Sequence, residues 1–266
     1  MKKVILVSLF AVLLSTSAQA LDESHPKLTF SKSQGPYSEL FITGVQPLLE
    51  AQGYTVNAVD MSDLLQADLA LNEEEVDFNV EQHTAYLENF NSTQNGDLVP
   101  LVPIPTVPAG IYPGAKTALS DVKEGDTIAV SNDASNTARA YNILQKIGWI
   151  KLDPAVDPSK VTKDNIVGND LKLNFVEMKS LTIPAVATDF AFVVITGSVV
   201  YNAKVDPASV LAQEDIAPHL LLQLVVKEKN KDAVWAQDIK KAYTSPEFKK
   251  YIEETNTGLW FVPEYK

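Results

Sequence analysis

The feature that most constrains the fold is an alternation of short, continuous apolar runs with helix-like amphipathic segments along most of the chain. Continuous apolar runs are typical of strands that are buried on both faces of a sheet. Strands that alternate with helices predict an α/β architecture with mostly parallel sheets. The predicted strands are Leu28–Ser31, Tyr54–Val59, Val76–Val80, Leu98–Ile104, Thr127–Val130, Leu173–Val176, Phe190–Ile195 and Leu220–Val226.

A proline-rich segment predicts that this α/β chain is divided into two lobes. Five prolines lie between Pro100 and Pro113, and such a stretch is stiff and unsuited to a helix or a central strand. We interpret it as a crossing between lobes, with a second crossing near Pro218–Val226 that returns the chain. The predicted organisation is a signal peptide over residues 1–20, a first lobe over 21–108, a second lobe over 109–220 and a return to the first lobe over 221–266, with a ligand cleft between the lobes.

The first twenty residues have the pattern of a cleavable export signal. Lys2 and Lys3 precede the apolar run Val4–Leu14, and small residues lead up to a predicted cleavage site after Ala20. The apolar run is shorter than the roughly 20 residues that a membrane span requires. The pattern therefore predicts a periplasmic protein exported through a bacterial secretion pathway.

Composition excludes several classes of function. The 266 residues carry a formal net charge of −12, without any long basic run that could offset it, and this balance disfavours binding to nucleic acid. Cysteine is absent, which excludes disulfides, thiolate metal sites, cysteine nucleophiles and lipid attachment through a cysteine. We therefore expect a soluble periplasmic protein with no membrane anchor.

Arg139 is the single arginine in the chain. A helix is predicted to begin near Asn136, after a loop rich in hydroxyl and amide side chains, which would place Arg139 in the first helical turn. Free backbone N–H groups at a helix N-terminus favour anions, and a guanidinium binds a carboxylate with two parallel hydrogen bonds. We favour a ligand carboxylate at Arg139; the alternative is an ion pair with an internal aspartate or glutamate.

A second polar group lies at the end of another predicted strand. The stretch from Asp77 to His83 places a carboxylate, an amide and an imidazole there. His25 and His219 match no metal-ligand spacing, and we find no nucleophile elbow, phosphate-binding loop or dinucleotide glycine motif. We therefore expect binding chemistry rather than catalysis, with no cofactor and no metal, and His83 is a candidate ligand contact.

Several stretches in order resemble the methionine-binding lipoprotein family of the NlpA type, which contains the substrate-binding components of methionine ABC importers. The resemblance extends from about Lys27 to Pro263. The matching stretches are Gly35-Pro36, Gln46-Pro47-Leu48-Leu49, Asp77-x-Asn79-x-x-Gln82-His83, Asp97-Leu98-Val99-Pro100, Pro108-x-Gly110-Ile111-Tyr112 and Asn132-Asp133-x-x-Asn136-x-x-Arg139-Ala140.

The resemblance implies a type II periplasmic binding fold in which two α/β lobes close on one small molecule. It implies that Arg139 holds the ligand carboxylate and that His83 lies in the pocket, with Asn136 in the same block as Arg139. It also implies an ABC transporter permease as the partner. We expect a monomer that is not an enzyme.

The chain departs from the family pattern at the expected pocket. Tyr37 stands where the family has histidine after Gly-Pro, and Glu81 stands in a wall where the family has aromatic residues. Thr196 and Ser198 replace the asparagines of a block that contacts the polar head of the amino acid. Glu81 indicates a ligand with a polar or cationic side chain, a dipeptide amine, or a wetter pocket.

The predicted function is a periplasmic solute-binding protein of an ABC importer that binds methionine or a related amino acid or small peptide through its carboxylate. The alternative is a sensor or interaction protein that does not transport and whose binding pocket has decayed. An exported hydrolase on the same fold is a third possibility. The predicted ligand-binding residues are Arg139, His83, Asn136, Tyr37, Glu81, Thr196 and Ser198.

Overall fold

The computed structural model describes residues 21–33, 35–256 and 259–265, so the predicted signal peptide lies outside the described residues. Within the described ranges, no helix is long and apolar enough to cross a membrane. The strands are β1 (Lys27–Lys32), β2 (Thr55–Asp60), β3 (Phe78–His83), β4 (Leu98–Pro103), β5 (Gly110–Pro113), β6 (Thr127–Ser131), β7 (Lys151–Leu152), β8 (Ile166–Gly168), β9 (Asn174–Met178), β10 (Phe192–Ile195), β11 (Ala212–Gln213) and β12 (Leu222–Lys227).

The helices cover the faces of these strands. They are α1 (Pro36–Leu40), α2 (Gln46–Glu50), α3 (Leu64–Asn72), α4 (Thr84–Gln94), α5 (Ala134–Lys146), α6 (Gly197–Asn202), α7 (Val234–Tyr243) and α8 (Pro246–Thr255).

The strands form two five-stranded sheets, each with its own core. The first sheet has the order β2-β1-β3-β12-β4 and the second has the order β11-β5-β10-β6-β9. Phe30, Phe41 and Tyr243 are buried in the core of the first lobe, and Tyr141 and Phe192 in that of the second. The predicted mixed α/β chain with two lobes is therefore present, while the boundaries at residues 108 and 220 stay a prediction.

The prediction of mostly parallel sheets is confirmed, since four strands of each sheet run in one direction and one strand, β12 in the first sheet and β5 in the second, runs against them. β1 is parallel to β2 and β3, and β6 is parallel to β9 and β10. β12 is antiparallel to β3 and β4, and β5 is antiparallel to β10 and β11. β12 pairs Leu222 with His83, so the returning chain enters the first sheet at the carboxyl end of β3 and must run against it.

Only the middle part of the proline-rich segment crosses between the sheets, because its two ends lie in β4 and β5. Pro100 and Pro103 lie in β4, which forms the edge of the first sheet and pairs only with β12. Proline is tolerated in an edge strand because that strand has one side without a hydrogen-bonded neighbour. Of this segment, residues 104–109 join β4 of the first sheet to β5 of the second, and β5 begins at Gly110 opposite Ile195. Gly110 also allows the close pairing of β5 with β11, since a Cβ there would lie 2.8 Å from the carbonyl oxygen of Ala212.

A π-helical segment lies just before Pro47. Phe41–Val45 adopts π-helical geometry between α1 and α2, and the N–H of Gln46 donates to the carbonyl of Phe41, five residues earlier. Proline has no N–H to bond the carbonyl of Thr43, so the helix widens here. The last helix, α8, begins after Ser245, whose hydroxyl caps it by accepting the N–H of Phe248.

Two helices begin at aspartates, each one in a different lobe. The carboxylate of Asp63 caps α3 by accepting the N–H of Gln66 at 3.0 Å. Asp133 caps α5 by accepting the N–H of Asn136 at 3.0 Å. Helix α5 therefore begins before Asn136, and Arg139 lies in its second turn rather than its first. Arg139 therefore does not oppose the positive end of the helix dipole, since this effect decays within the first turn.

Candidate functional site

A cavity of about 300 Å³ lies between the lobes at the carboxyl ends of their parallel strands. Ser33 and Ser62 follow β1 and β2, and Glu81 lies near the end of β3. From the second sheet, the cavity is lined by residues that follow the parallel strands there: Asn132 after β6, Lys179 after β9 and Thr196 after β10. Open α/β sheets bind ligands at this edge, because the loops there are free of the sheet and converge. We call this cavity the cleft.

Four of the seven predicted site residues line the cleft. They are Glu81 from the first lobe and Asn136, Thr196 and Ser198 from the second. The hydroxyls of Thr196 and Ser198 lie 3.1 Å apart and form a hydrogen bond with each other. Arg139, His83 and Tyr37 do not line the cleft and instead lie behind its wall.

Arg139 is held by an internal carboxylate. Its Nε donates to Glu214 Oε2 at 3.0 Å, and its Nη2 donates to Glu214 Oε1. The side chains of Arg139 and Glu214 are 5% and 6% exposed, so both charges are buried and neutralise each other. Burial alone would lower the pKa of the guanidinium, but the Glu214 charge raises it above its ordinary value. The internal ion pair that the sequence left open as an alternative is present, and contact of Arg139 with a ligand stays a prediction.

His83 joins this group from the first lobe. Its Nδ1 accepts the backbone N–H of Tyr86 at 3.1 Å and caps α4. Burial lowers the pKa of His83 to about 3, and the nearby Arg139 cation adds to this effect. The imidazole is therefore neutral, and because Nδ1 accepts, Nε2 carries the proton.

Asn136 links the two lobes behind the cleft. Its Oδ1 accepts from Arg139 Nη1 at 2.9 Å and lies 3.4 Å from the protonated Nε2 of His83. Both neighbours are donors, so the amide oxygen must be the atom that faces them. The Nδ2 group of Asn136 therefore faces away from Arg139 and His83, and Asn136 itself lines the cleft.

Tyr37 is a buried wall residue of the first lobe. Its hydroxyl accepts the N–H of Val107 at 3.3 Å, and its ring packs edge-on against Trp260 with 5.7 Å between ring centres. Burial raises the pKa of the phenol, so it stays protonated at neutral pH. Because Val107 belongs to the crossing between β4 and β5, Tyr37 fixes the crossing rather than lining the cleft.

Glu81 is a buried carboxylate at the cleft. It is 9% exposed, the hydroxyl of Ser38 donates to its Oε1, and Ser33 also donates to it. Burial raises the pKa of Glu81 to about 7 against the opposing effect of these hydrogen bonds. Among the described residues, no lysine, arginine or histidine forms an ion pair with it.

A second buried acid lies beneath Glu81. Asp68 is fully buried, and its Oδ1 accepts from Asn79 Nδ2 at 2.7 Å and from Gln82 Nε2 at 2.5 Å. Burial raises the pKa of Asp68 to about 8. Asp68 Oδ2 and Gln82 Oε1 are buried without a hydrogen-bond partner. Asn79 and Gln82 thus donate to Asp68 and do not line the cleft.

Asp77, grouped with His83 from the sequence, lies away from the cleft. It stands just before β3, where its Oδ1 lies 2.9 Å from His25 Nε2 and its Oδ2 accepts from the N–H of Thr29. Strand β3 separates Asp77 from His83 by its full length, so the two residues lie at opposite ends of the sheet. In the part of the chain that the structure describes, no three metal-ligating side chains come together.

Sequence reasoning did not identify Glu214 as the partner of Arg139 or Asp133 as the cap of α5. Glu214 is 75 residues from Arg139 and belongs to no recognisable motif. The only local signal was the acid pair Glu214-Asp215 just before the return crossing, where Asp215 pairs with Lys146 at 2.7 Å. Another cavity of about 210 Å³ lies on the side of α5 where Arg139, Glu214 and His219 are found.

Comparison with known proteins agrees with this architecture. The sequence model of the NlpA lipoprotein family matches residues 28–264. The chain is 30% identical to the D-methionine-binding lipoprotein MetQ of Salmonella typhi over 202 residues, which cover 74% of either chain.

Two solved structures have the same fold. One is a nutrient binding protein from Burkholderia cenocepacia bound to methionine, with a TM-score of 0.82 and 28% identity over 89% of this chain and 100% of that chain. The other is a periplasmic substrate-binding protein of an ABC transporter from Coxiella burnetii, with a TM-score of 0.81 and 26% identity over 89% of this chain and 100% of that chain. These matches confirm the predicted type II periplasmic binding fold with a cleft between the lobes.

Proposed function

The chain belongs to the NlpA lipoprotein family, and we propose that it captures a small amino-acid-like ligand in its cleft and delivers it to an ABC importer. The predicted resemblance is confirmed, and the family consists of solute-binding proteins rather than enzymes. Export by the predicted signal peptide would place the protein in the periplasm, where such binding proteins meet their permeases. In this proposal a monomer carries one ligand.

The observation that carries the proposal is the convergence of six parallel strands, three from each sheet, on one cavity. Its volume of about 300 Å³ is at the lower end of the range for small-molecule sites. A ligand there touches polar groups of both lobes, so its binding energy favours the closed arrangement over an open one. The permease would recognise the closed, ligand-bound form.

Asn136 is the proposed donor to the ligand carboxylate. Its Oδ1 is occupied by Arg139 and His83, so its Nδ2 is free to donate toward the cleft. Arg139 uses three of its five N–H groups on Glu214 and Asn136, and the remaining two could reach the same carboxylate after a small rearrangement. Thr196 and Ser198 supply hydroxyls on the same side of the cleft. Together they would form the carboxylate site predicted from the sequence.

The first experiment is mass spectrometry of the ligand released from the purified protein on denaturation. A thermal-shift panel of L- and D-amino acids and short peptides follows. A ligand at about 100 times its Kd stabilises the folded state by roughly 2.7 kcal/mol. No response across the panel, together with a stable protein partner in pull-downs, would favour the sensor alternative instead.

Asn136→Ala tests the carboxylate donor. We expect it to weaken binding by about tenfold or more, because a hydrogen bond to a charged group contributes about 1.5–3 kcal/mol. Asn142→Ala is the matched control on the same helix, since its Nδ2 donates to the carbonyls of Ala138 and Pro158 and not toward the cleft. If the two variants bind the ligand equally well, its carboxylate is held elsewhere.

A further inference from the structure

Glu81 has an unusual position for a carboxylate. It lines the cleft, it is nine-tenths buried, and its described neighbours offer it hydroxyls but no cation. Removing a carboxylate from water is costly unless an opposite charge compensates, and here the protein provides none. Without a ligand, a proton can relieve this cost, and a cationic group of a ligand in the cleft can replace that proton.

The other charged groups at the cleft do not supply a positive charge that compensates Glu81. Asp63 and Asp133 also line the cavity, where each caps a helix, and as carboxylates they add negative charge. Lys179 is the one cationic side chain of the lining, and it is exposed, so water screens its charge. Arg139 is neutralised by Glu214. The carboxyl groups of Glu81, Asp63 and Asp133 therefore outnumber the single ammonium group of Lys179 in the lining. A zwitterionic ligand has no net charge and would leave this excess of negative charge uncompensated.

From this balance we propose that Glu81 binds an ammonium group which the ligand carries in addition to its α-ammonium, so that the cleft selects cationic amino acids over neutral ones. This inference rests on the proposed function and names its substrate class. An ionised carboxylate has about four acceptor positions, and the hydroxyls of Ser38 and Ser33 with the backbone N–H of Ser33 use three of them, which leaves about one for a donor of a primary ammonium. Leu64 and Val199 line the same cavity and offer apolar contact to the methylene groups of the side chain.

Isothermal titration calorimetry with a matched pair of probes tests the selection without any mutation. L-Lysine and L-norleucine share the amino-acid head and the alkyl chain, but norleucine lacks the terminal ammonium. We expect the wild-type protein to bind lysine about tenfold more tightly or better, a factor that corresponds to about 1.4 kcal/mol. If norleucine or methionine binds as tightly as lysine, the inference is overturned and the proposed function stands.

Glu81→Gln then assigns the preference to this residue. Glutamine keeps the shape and an acceptor for Ser38 but removes the charge, so lysine affinity should fall by about tenfold or more while norleucine affinity stays equal or rises. Asp63→Asn removes a charge from the same cleft and is the control, with a smaller expected loss. Equal losses of lysine affinity in the two variants would show a general field effect and overturn the role of Glu81. Absence of binding by lysine, norleucine and methionine alike overturns this inference, and the same absence across the wider panel of amino acids and short peptides overturns the proposed function as well.

Discussion

The two lobes bury charge near the cleft in opposite ways. On the side of the second lobe, Arg139 and Glu214 are both buried, and two hydrogen bonds join them into a neutral pair. In the first lobe, Glu81 and Asp68 are also buried, but only hydroxyls and amides surround them. Burial raises the pKa of Glu81 to about 7 and that of Asp68 to about 8, whereas the pKa of Arg139 rises because its partner is charged.

The difference shows how a partner decides the state of a buried group. A paired charge stays ionised over the whole physiological range and fixes the structure around it. An unpaired acid can gain a proton near neutral pH, and its charge remains available to a ligand. The second lobe thus contributes a rigid wall to the cleft, and the first lobe contributes a carboxylate whose charge depends on what binds.

The largest expected effect comes from breaking the pair. Glu214→Ala should lower the free energy of unfolding by about 3–5 kcal/mol, because it leaves the Arg139 charge buried without compensation. Urea denaturation measures this change. The double variant Arg139→Met, Glu214→Leu is the control and should recover most of the loss, since apolar side chains of similar size replace both charges. A cost below about 1 kcal/mol for Glu214→Ala would mean that the pair is not buried in solution.

The pH dependence of stability tests the unpaired acids. Because the folded-state pKa values of Asp68 and Glu81 lie above their ordinary values of 3.8 and 4.5, their contribution favours folding at low pH and is lost as pH rises. The loss falls between pH 3.8 and about 8 for Asp68 and between pH 4.5 and about 7 for Glu81. Each group contributes up to about 1.4 kcal/mol per pH unit within its window.

Asp68→Asn isolates the larger of these two contributions. The difference in unfolding free energy between this variant and the wild type should grow in favour of the variant from pH 4 to pH 8. Chemical denaturation at a series of pH values measures it, and taking the difference removes the carboxylates that the substitution leaves unchanged. Parallel curves for the two proteins would show that Asp68 is ionised in the folded state.

The smallest expected effect compares the two aspartate caps. Asp63→Ala and Asp133→Ala should each cost about 1 kcal/mol in thermal or chemical unfolding, the typical contribution of an N-cap. Asp133 should cost more, because it also accepts from the hydroxyls of Ser131 and Ser135. A greater loss of unfolding free energy for Asp63→Ala than for Asp133→Ala would show that the additional hydrogen bonds of Asp133 do not add to its contribution as a cap.

Particular residues show which parts of the fold the sequence could predict. All eight predicted strands overlap strands of the structure, because runs of apolar and β-branched residues favour strands even where the strand is an exposed edge, as β2 is. The cap of α8 by Ser245 is also a local feature of the sequence, because a cap involves residues only three positions apart. The directions of β5 and β12 and the true start of α5 were missed. Strand direction depends on where the chain re-enters a sheet, and Asp133 competed with Asn136 as a cap within one short loop.

The sequence by itself determined that this is a two-lobed α/β binding protein, because apolar periodicity, proline placement and the family's motifs are local properties of the chain. It also drew attention to Arg139 and Glu81 as unusual residues. Only the tertiary structure decided what surrounds them. Glu214 reaches Arg139 from 75 residues away, whereas the described surroundings of Glu81 contain no cation to pair with it. Such pairings depend on distances in space, and since charge compensation acts over a few ångströms regardless of sequence separation, no local pattern encodes it.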